Sequence, residues 1–260
     1  MFWRITLCIC LALTQTWASA QHVLGKAYLH GDNIPNALGF TAAPPDTLSP
    51  LFIYDYMRYE WGKSVRQTKR GEQAAHDADY RMPYIASYFA PALGICISDS
   101  LTPALYKLIS NVAETASCAT FRVKKHYARR RPYVQFDEPT LVRADEESHR
   151  HSGSFPSGHT SIGWAVALVL TELCPDRADT LLALGYQYGE SRVIAGYHYQ
   201  SDVDQGRSVG AAALARMHAE VDFLTDLGEA REELSKVRQM PEPVDTEKVS
   251  RALKRKPKRK

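Results

Sequence analysis

Residues 153–173 read GSFPSGHTSIGWAVALVLTEL. From Thr160 onward this stretch is almost entirely apolar, with no charged side chain before Glu172. An apolar run of this kind is typical of a helix that is buried on all sides. The sequence therefore predicts a central helix over 160–173, with a polar turn at 156–159 directly before it.

Helical periodicity continues on both sides of this central run. Apolar residues recur at steps of three and four, and no segment alternates as a β-strand does. Thr102 has the character of an N-cap followed by proline at the first helical position, and Pro132 stops the helix before it. The predicted helices are 52–69, 71–80, 82–92, 102–127, 160–173, 178–195, 202–219 and 223–237. We therefore predict an all-α fold, a single helical-bundle domain over 51–240 with central buried helices.

The last of these helices, 223–237, carries a narrow apolar stripe with charged residues between its members. Such a stripe covers only part of the helix surface. It predicts either packing on the body of the domain or a contact between two subunits.

The two ends of the chain differ from the domain in composition. Residues 1–20 combine a basic start, a short apolar run and a small-residue pattern, which predicts a secretory signal peptide cut after Ala20. Residues 21–50 are rich in proline and predict an irregular lead-in, and residues 241–260 are expected to be a disordered basic tail. No other run approaches the roughly 20 apolar residues of a membrane span, so we expect a soluble, exported protein.

The net charge of +3 is unevenly distributed. Residues 248–260 hold eight Lys and Arg and no acidic residue, so the rest of the chain is mildly acidic. An acidic body with a basic tail is not typical of a nucleic-acid-binding domain. The tail predicts contact with anionic surfaces, and a surface-binding protein that acts through it is one alternative function.

The turn at 156–159, Pro-Ser-Gly-His, has the chemistry of an anion site. Backbone N–H groups at the start of a helix bind anions, the Ser157 hydroxyl adds a donor, and Gly158 lets a ligand approach the backbone closely. His159 is able to give a proton to a leaving oxygen. A simple helix cap explains the same turn equally well.

A basic segment precedes this turn. Lys124 and Arg131 are seven residues apart, which is nearly two turns, so on one helix both side chains leave the same face. Both are then able to reach one anion. Because Lys125, Arg129 and Arg130 crowd the same segment, a solvated basic face is the alternative.

A third block follows the central helix. Arg192 offers a planar fork that suits phosphate. His198 and Asp202 are spaced i,i+4, so the carboxylate is able to fix the tautomer of the imidazole and leave its other nitrogen free to attack. A purely structural His–Asp pair is also common. Together the three blocks supply what phosphoryl transfer without a metal ion requires: fixed cations, a nucleophile and a proton donor.

These blocks resemble those of a known family. The chain is similar to the acid phosphatase superfamily that includes type 2 phosphatidic acid phosphatases and vanadium haloperoxidases. Within it, the octapeptide at 153–160 and the run GYHYQSDVD at 196–204 resemble the bacterial class A non-specific acid phosphatases, with Phe155 where the class usually has Tyr. The resemblance covers roughly residues 40–220.

The resemblance implies an all-α, homodimeric phosphatase of the periplasm that acts on small phosphate monoesters of broad range and needs no metal or other cofactor. His198 would be the nucleophile and form a phosphohistidine, Asp202 would orient it, and His159 would protonate the leaving alcohol and then activate water. Transfer of phosphate to alcohols or nucleosides is a further expectation. The residues that would hold the phosphate are Lys124, Arg131, Ser157, Gly158 and Arg192.

One alternative within the same superfamily is a vanadate-dependent haloperoxidase. The same cationic site binds vanadate, so the motif residues do not separate the two activities. Those enzymes are usually much longer than this chain, which favours the phosphatase.

Three cysteines remain after the signal peptide, so at most one internal bridge can form. We favour Cys96 with Cys118, and the burial of Cys96, Cys118 and Cys174 as small apolar residues is the alternative. The class often has a cysteine at the position of Ala195.

The segment 135–154 shows no periodicity and predicts a long surface loop at the rim of the site. It contains acidic and histidine side chains that are expected to be solvated, and a metal patch is the less favoured alternative. These residues are Glu146, Glu147, His149 and His151.

Overall fold

The computed structural model describes residues 24–239, which form helices joined by loops and contain no β-strand. The predicted signal peptide and the predicted basic tail both lie outside the described residues. The α-helices are α1 (Pro50–Ser64), α2 (Lys69–His76), α3 (Met82–Leu93), α4 (Pro103–Cys118), α5 (Phe121–Tyr127), α6 (Pro132–Gln135), α7 (Glu146–His149), α8 (Gly158–Leu173), α9 (Ala178–Ala195), α10 (Gln200–Met217) and α11 (Val221–Gln239). The all-α prediction is confirmed. Between residues 24 and 239, no helix combines the length and the apolar content that a membrane crossing requires.

α8 lies at the centre of the bundle and packs against α4, α9 and α10. Its apolar run is buried, with Val166, Val169 and Leu170 entirely shielded from solvent. Burial of each such side chain contributes about 1.5–3 kcal/mol relative to leaving it exposed. The central helix is therefore the main apolar support of the residues at its N-terminus.

Two glycines let the neighbouring helices approach α8 closely. A Cβ on Gly163 would lie 2.3 Å from the ring of Tyr188 in α9, and a Cβ on Gly206 of α10 would lie 2.7 Å from the carbonyl oxygen of Ser157. Neither distance leaves room for a side chain. The contact at Gly206 packs α10 directly against the turn that precedes α8.

α11 packs along α4 and completes the core. The apolar stripe of α11 is buried at Phe223, Leu227, Ala230 and Leu234. Of the two alternatives for this stripe, packing on the body is therefore the one observed.

α11 also caps the N-terminus of α4. The carboxylate of Glu233 accepts hydrogen bonds from the backbone N–H groups of Ala104 (3.1 Å) and Leu105 (2.9 Å). Thr102 makes no capping bond, because its hydroxyl accepts from the N–H of Ser98 instead (3.1 Å). Thr102 does occupy the N-cap position and Pro103 the first turn of the helix, as predicted, but the side chain of Thr102 does not cap it.

The helix predicted over 102–127 is interrupted after Cys118. A second helix, α5, then ends at Tyr127, because Ala128 adopts a left-handed conformation (φ 43°). Arg131 has an extended backbone (φ −70°, ψ 153°) ahead of Pro132, as proline sterics favour. Lys124 and Arg131 thus lie on different segments, and the prediction that they share one helical face is wrong.

Two other predicted boundaries change. The helix predicted at 52–69 is divided, since α1 ends at Ser64 and α2 begins at Lys69. The loop predicted at 135–154 contains a 3-10 turn at Arg143–Asp145 and the short helix α7.

The described part of the proline-rich lead-in runs along α4. The N–H of Lys26 donates to Asn111 Oδ1 (2.8 Å), and the N–H of Tyr28 donates to Thr115 Oγ1 (2.8 Å). Both acceptor side chains are buried. The lead-in therefore supplies N–H donors to buried side-chain oxygens of α4.

The three cysteines are free. The favoured bridge between Cys96 and Cys118 is wrong, because Cys96 lies exposed after α3 and Cys118 Sγ faces Glu114 of its own helix (3.5 Å from Oε1). The alternative that all three are buried is also wrong, since only Cys174 is.

Gly163→Ala is expected to lower the free energy of unfolding by about 1–3 kcal/mol, because the added methyl group meets the Tyr188 ring. Gly228 of α11 is the matched control, since a Cβ there would have no other heavy atom within 4 Å. Gly228→Ala is expected to raise the free energy of unfolding by about 0.5–1 kcal/mol. Urea denaturation followed by circular dichroism measures both. A Gly163→Ala protein as stable as the wild type would contradict the close contact of α8 and α9.

Candidate active site

The three sequence blocks meet where α8 and α10 begin and α9 ends. Ser157 is the N-cap of α8, and its Oγ accepts hydrogen bonds from the N–H (3.3 Å) and the hydroxyl (2.9 Å) of Thr160. The N–H of Ser157 donates to the carbonyl oxygen of Asp202 (2.9 Å) in the first turn of α10. α9 ends at Ala195 because Gly196 adopts the left-handed conformation (φ 86°) that favours glycine. The bond between Ser157 and Asp202 thus joins the starts of α8 and α10, and the turn at Gly196 leads from α9 to α10.

His198 and Asp202 form a buried pair at the start of α10. His198 Nδ1 lies 3.3 Å from Asp202 Oδ2, and His198 Nε2 lies 3.1 Å from Arg131 Nη1. Arginine is only a donor, so Nε2 must accept and the ring proton is on Nδ1, where it is donated to Asp202. The predicted i,i+4 pair is present, and Nε2 is the unprotonated nitrogen of His198, with its lone pair directed at Arg131.

Lys124 and Arg131 converge although they lie on different segments. Both donate to the carbonyl oxygen of Gly153, Lys124 from Nζ (3.0 Å) and Arg131 from Nη2 (3.4 Å). Arg131, which is only 3% exposed, also donates to the carbonyl oxygens of His149 (3.1 Å) and Tyr197 (3.1 Å). The convergence therefore depends on backbone carbonyls rather than on a shared helical face.

Arg192 is a buried cation with unused donors. Its guanidinium lies over the ring of Tyr197 (4.6 Å to the centroid). Its Nε and Nη1 atoms are shielded from solvent and have no hydrogen-bond partner among residues 24–239. Buried donors without acceptors are rare and costly in native proteins. They indicate an acceptor-rich ligand, and the positive charge indicates an anion.

The cations at this site perturb one another. The pKa of Arg131 is lowered to about 10, mainly by burial and next by the charge of Arg192. Burial and the charge of Arg131 hold the pKa of Lys124 well below its usual value. Burial and the charges of Arg131 and Lys124 also hold the pKa of His198 far below that of an exposed histidine. A bound anion would relieve this repulsion.

His159 lies in the first turn of α8. Its Nε2 is 3.0 Å from the carbonyl oxygen of Ala78, which can only accept, so Nε2 carries a proton. The ring is flanked by Tyr80, edge-on at 4.9 Å, and by Tyr188 at 6.3 Å. Burial, followed by the charge of Arg192, lowers the pKa of His159 well below its usual value. The Nδ1 atom is therefore the nitrogen of His159 that is able to exchange a proton.

A cavity of about 470 Å³ opens at Ala78 and Tyr80, two residues that His159 contacts. It is lined by the loop at 78–81 and by Val142, Asp145 and His149 of the predicted rim loop. Gly158 is partly exposed, and a Cβ there would come no closer than 3.7 Å to any neighbouring atom. The backbone of Gly158 is thus open to a ligand.

Glu146 and His149, two of the four rim residues considered for a metal patch, have other partners. Glu146 Oε1 accepts from the N–H and the hydroxyl of Thr140 (both 2.8 Å), and His149 Nδ1 lies 2.9 Å from the carbonyl oxygen of Asp145. In the part of the chain that the structure describes, no cluster of three or more His, Cys, Asp or Glu is arranged to hold a metal ion.

Sequence reasoning missed Arg129. It was grouped with the surrounding basic residues, but its side chain is only 9% exposed and its Nη1 donates to Asp202 Oδ1 (2.6 Å). Its Nη2 donates to Asp55 Oδ2 (2.8 Å). No spacing in the sequence links Asp55, on α1, to this pair.

Comparison with known proteins places this site in a family. The PAP2 superfamily matches residues 101–225, which include all three blocks. The non-specific acid phosphatase of Providencia stuartii is 41% identical over 212 residues, which cover 81% of this chain and 86% of that protein. The non-specific acid phosphatase of Salmonella typhimurium is 40% identical over 201 residues (77% and 80%), and the acid phosphatase of Zymomonas mobilis is 36% identical over 199 residues (76% and 75%). The chain therefore belongs to the PAP2 superfamily and, within it, to the family of the bacterial non-specific acid phosphatases.

Proposed function

We propose that the protein is an acid phosphatase that hydrolyses small phosphate monoesters of broad range through a phosphohistidine on His198. One observation carries this proposal: Arg192 presents two buried, unpartnered donors beside a histidine whose Nε2 is unprotonated. The names of the relatives, which are acid phosphatases, support it.

Lys124, Arg131 and Arg192 would hold the phosphate oxygens. Because Ser157 Oγ accepts from both polar groups of Thr160, its own proton is available to one of these oxygens, and the N–H of Gly158 adds a donor. One preorganised donor that faces developing charge is worth about 3 kcal/mol in a typical enzyme. These residues supply charge neutralisation from the chain itself.

The reaction would proceed in two steps. In the first, His198 Nε2 attacks phosphorus, a P–N bond forms, the P–O bond to the leaving alcohol breaks, and His159 gives a proton to the leaving oxygen. In the second, His159 takes a proton from an attacking water, the P–N bond breaks, and inorganic phosphate leaves. An alcohol or nucleoside that replaces the water would give phosphate transfer.

The anion itself would adjust the protonation of the site. Burial and Arg192 lower the pKa of His159, and a phosphate held by Arg192 offsets that positive charge. Substrate binding therefore favours the protonated form of His159 that the first step needs. Asp202 would hold the Nδ1 proton of His198 and stabilise the positive charge that develops on this ring.

The setting of the enzyme is also proposed. We infer that residues 1–20 are a signal peptide removed after Ala20, that 51–240 is the catalytic domain, and that the protein works in the periplasm as a homodimer. Exposed apolar side chains on α1, at Leu51, Tyr54 and Met57, support self-association.

The basic tail would contact anionic surfaces. Light scattering of the purified protein tests the dimer, and N-terminal sequencing of exported protein tests the cleavage.

His198→Ala is expected to lower kcat for p-nitrophenyl phosphate by at least about 1,000-fold, because the nucleophile is lost. His218→Ala is the matched control, since His218 also pairs with a carboxylate, Glu172 (3.2 Å), but lies on the surface outside the site. Its kcat should match that of the wild type. Both are measured with and without a chelator, and turnover should survive the chelator.

A His198→Ala protein that retains turnover would contradict the phosphohistidine. A folded wild-type protein that hydrolyses no monoester would contradict the phosphatase itself. The assay to run next would then be halide oxidation with vanadate and peroxide.

The acid limb of kcat/KM is expected to lie well below pH 6.5, the ordinary pKa of a histidine. Attack requires the neutral form of His198, and burial with nearby cations lowers its pKa, so the neutral form persists as the pH falls. Rates measured between about pH 4 and pH 8 with two esters test this, because the second phosphate ionisation, near pH 6, changes with the ester whereas the limb of His198 does not. An acid limb at or above pH 6.5 with both esters would contradict it.

Gly158→Ala is expected to lower kcat/KM at least about 10-fold while the free energy of unfolding changes by less than about 1 kcal/mol. The added methyl group would lie 3.7 Å from Thr120 Oγ1 and 3.8 Å from Lys124 Cε, which the fold tolerates, but it would face the space where phosphate is proposed to bind. Gly228→Ala, far from the site, should leave the kinetics unchanged. Full activity in Gly158→Ala would place the phosphate elsewhere.

A further inference from the structure

Arg129 connects the predicted nucleophile pair to α1. Its Nη1 donates to Asp202 Oδ1 (2.6 Å) and to Ser201 Oγ (2.8 Å), and its Nη2 donates to Asp55 Oδ2 (2.8 Å). The guanidinium carbon also lies over the ring of Tyr199, 4.0 Å from the centroid. The plane of Arg129 is therefore fixed by two carboxylates, a hydroxyl and an aromatic face.

Asp55 holds Arg129 in place. It is fully buried, and its Oδ1 accepts from the N–H of Ser201 (2.8 Å) while its Oδ2 accepts from the Ser201 hydroxyl (2.6 Å). Ser201 lies in the first turn of α10, next to Asp202. The carboxylate of Asp55 thus joins α1 to the N-terminus of the helix that carries the pair.

The two oxygens of Asp202 have separate partners. Oδ1 accepts from Arg129, and Oδ2 accepts from the N–H of Tyr199 (2.9 Å) and from His198 Nδ1 (3.3 Å). Since Arg129 occupies one oxygen, the other is directed at the imidazole. Without Arg129, this fully buried carboxylate loses its shortest hydrogen bond and its nearest countercharge.

We propose that Arg129, held by Asp55, is a positioning residue that orients Asp202 and through it His198 for attack on phosphorus. The inference rests on the proposed function. It adds residues that contact the catalytic side chains and do not contact the substrate. Arg129 donates to Asp202 and not to His198 or to the anion site, so it acts through the carboxylate. Lysine cannot replace it fully, because a single ammonium lacks the planar fork that spans two carboxylates.

The test compares Arg129→Met and Arg129→Lys with the wild type in p-nitrophenyl phosphate hydrolysis and in inhibition by inorganic phosphate. Arg129→Met should lower kcat by about 10- to 1,000-fold, and Arg129→Lys should lose less, because it retains the charge but not the fork. The inhibition constant for inorganic phosphate should stay within about threefold, since Lys124, Arg131 and Arg192 are unchanged. Guanidinium ion added to Arg129→Ala should restore part of kcat.

Arg58→Met is the matched control. Arg58 lies on α1, as Asp55 does, and its guanidinium donates to α9 from Nη2 (Glu190, 2.6 Å) and to α10 from Nε (Gln200, 2.9 Å), but it does not donate to Asp202. Its loss should reduce stability and leave kcat near that of the wild type. An equal fall of kcat in Arg58→Met and Arg129→Met would assign Arg129 to general packing and overturn the inference.

Two other results would also overturn it. One is a kcat of Arg129→Met within about threefold of the wild type. The other is an inhibition constant for phosphate that rises as much as kcat falls, because this would place Arg129 in the anion site. If Arg129→Met does not fold, Asp55→Asn decides, because it removes the negative charge that pairs Arg129 with α1 and leaves the bond of Arg129 to Asp202. In this variant kcat must fall while the inhibition constant for phosphate stays unchanged.

Inactivity of the wild type would be a failure of the proposed function and not of this inference. The readout is then the nitrogen-15 NMR resonance of His198 Nδ1, which reports the hydrogen bond from this nitrogen to Asp202. This resonance must shift in Arg129→Met and stay unchanged in Arg58→Met, and an unshifted resonance in Arg129→Met would overturn the inference.

Discussion

The structure depends on keeping several cations buried close together. Lys124, Arg131 and Arg192 lie near one imidazole, and burial of like charges is strongly unfavourable unless hydrogen bonds and countercharge offset it. Backbone carbonyls at Gly153, and at other positions around Arg131, provide part of the compensation. Arg192 keeps donors without acceptors, so the protein is left with a site whose electrostatics a phosphate would complete.

Helix ends provide the geometry that this compensation needs. The start of α8 directs N–H groups toward the site, and the left-handed Gly196 ends α9 so that the following residues turn back to the start of α10. The close contact of Gly206 with Ser157 fixes these two helix starts against each other. Polar groups at the site are therefore carried by rigid elements, and the apolar run of α8 anchors them to the core.

Sequence patterns predicted the features that depend on residues close together in the chain. The apolar run from Thr160 predicted the central helix, and the residue types of the three blocks led to the proposal of an anion site. The convergence of Lys124 and Arg131 was predicted for the wrong reason, because the left-handed Ala128, which no Gly or Asn marks, ends the helix between them. Arg129 and Asp55 meet across 74 residues, and no periodic pattern encodes a contact at that separation. The free cysteines were missed because spacing does not show whether two side chains face each other.

α4 receives contacts from both ends of the described chain. Residues of the lead-in donate to its side chains across 85 and 87 positions, and Glu233 accepts from its first turn across 128 and 129 positions. During synthesis on the ribosome, the surroundings of α4 therefore stay incomplete until the last helix of the domain has emerged. Contacts of such long range form late because the loop must close before they are made. Until residue 233 has been made, the first turn of α4 therefore lacks the carboxylate that accepts its N–H groups.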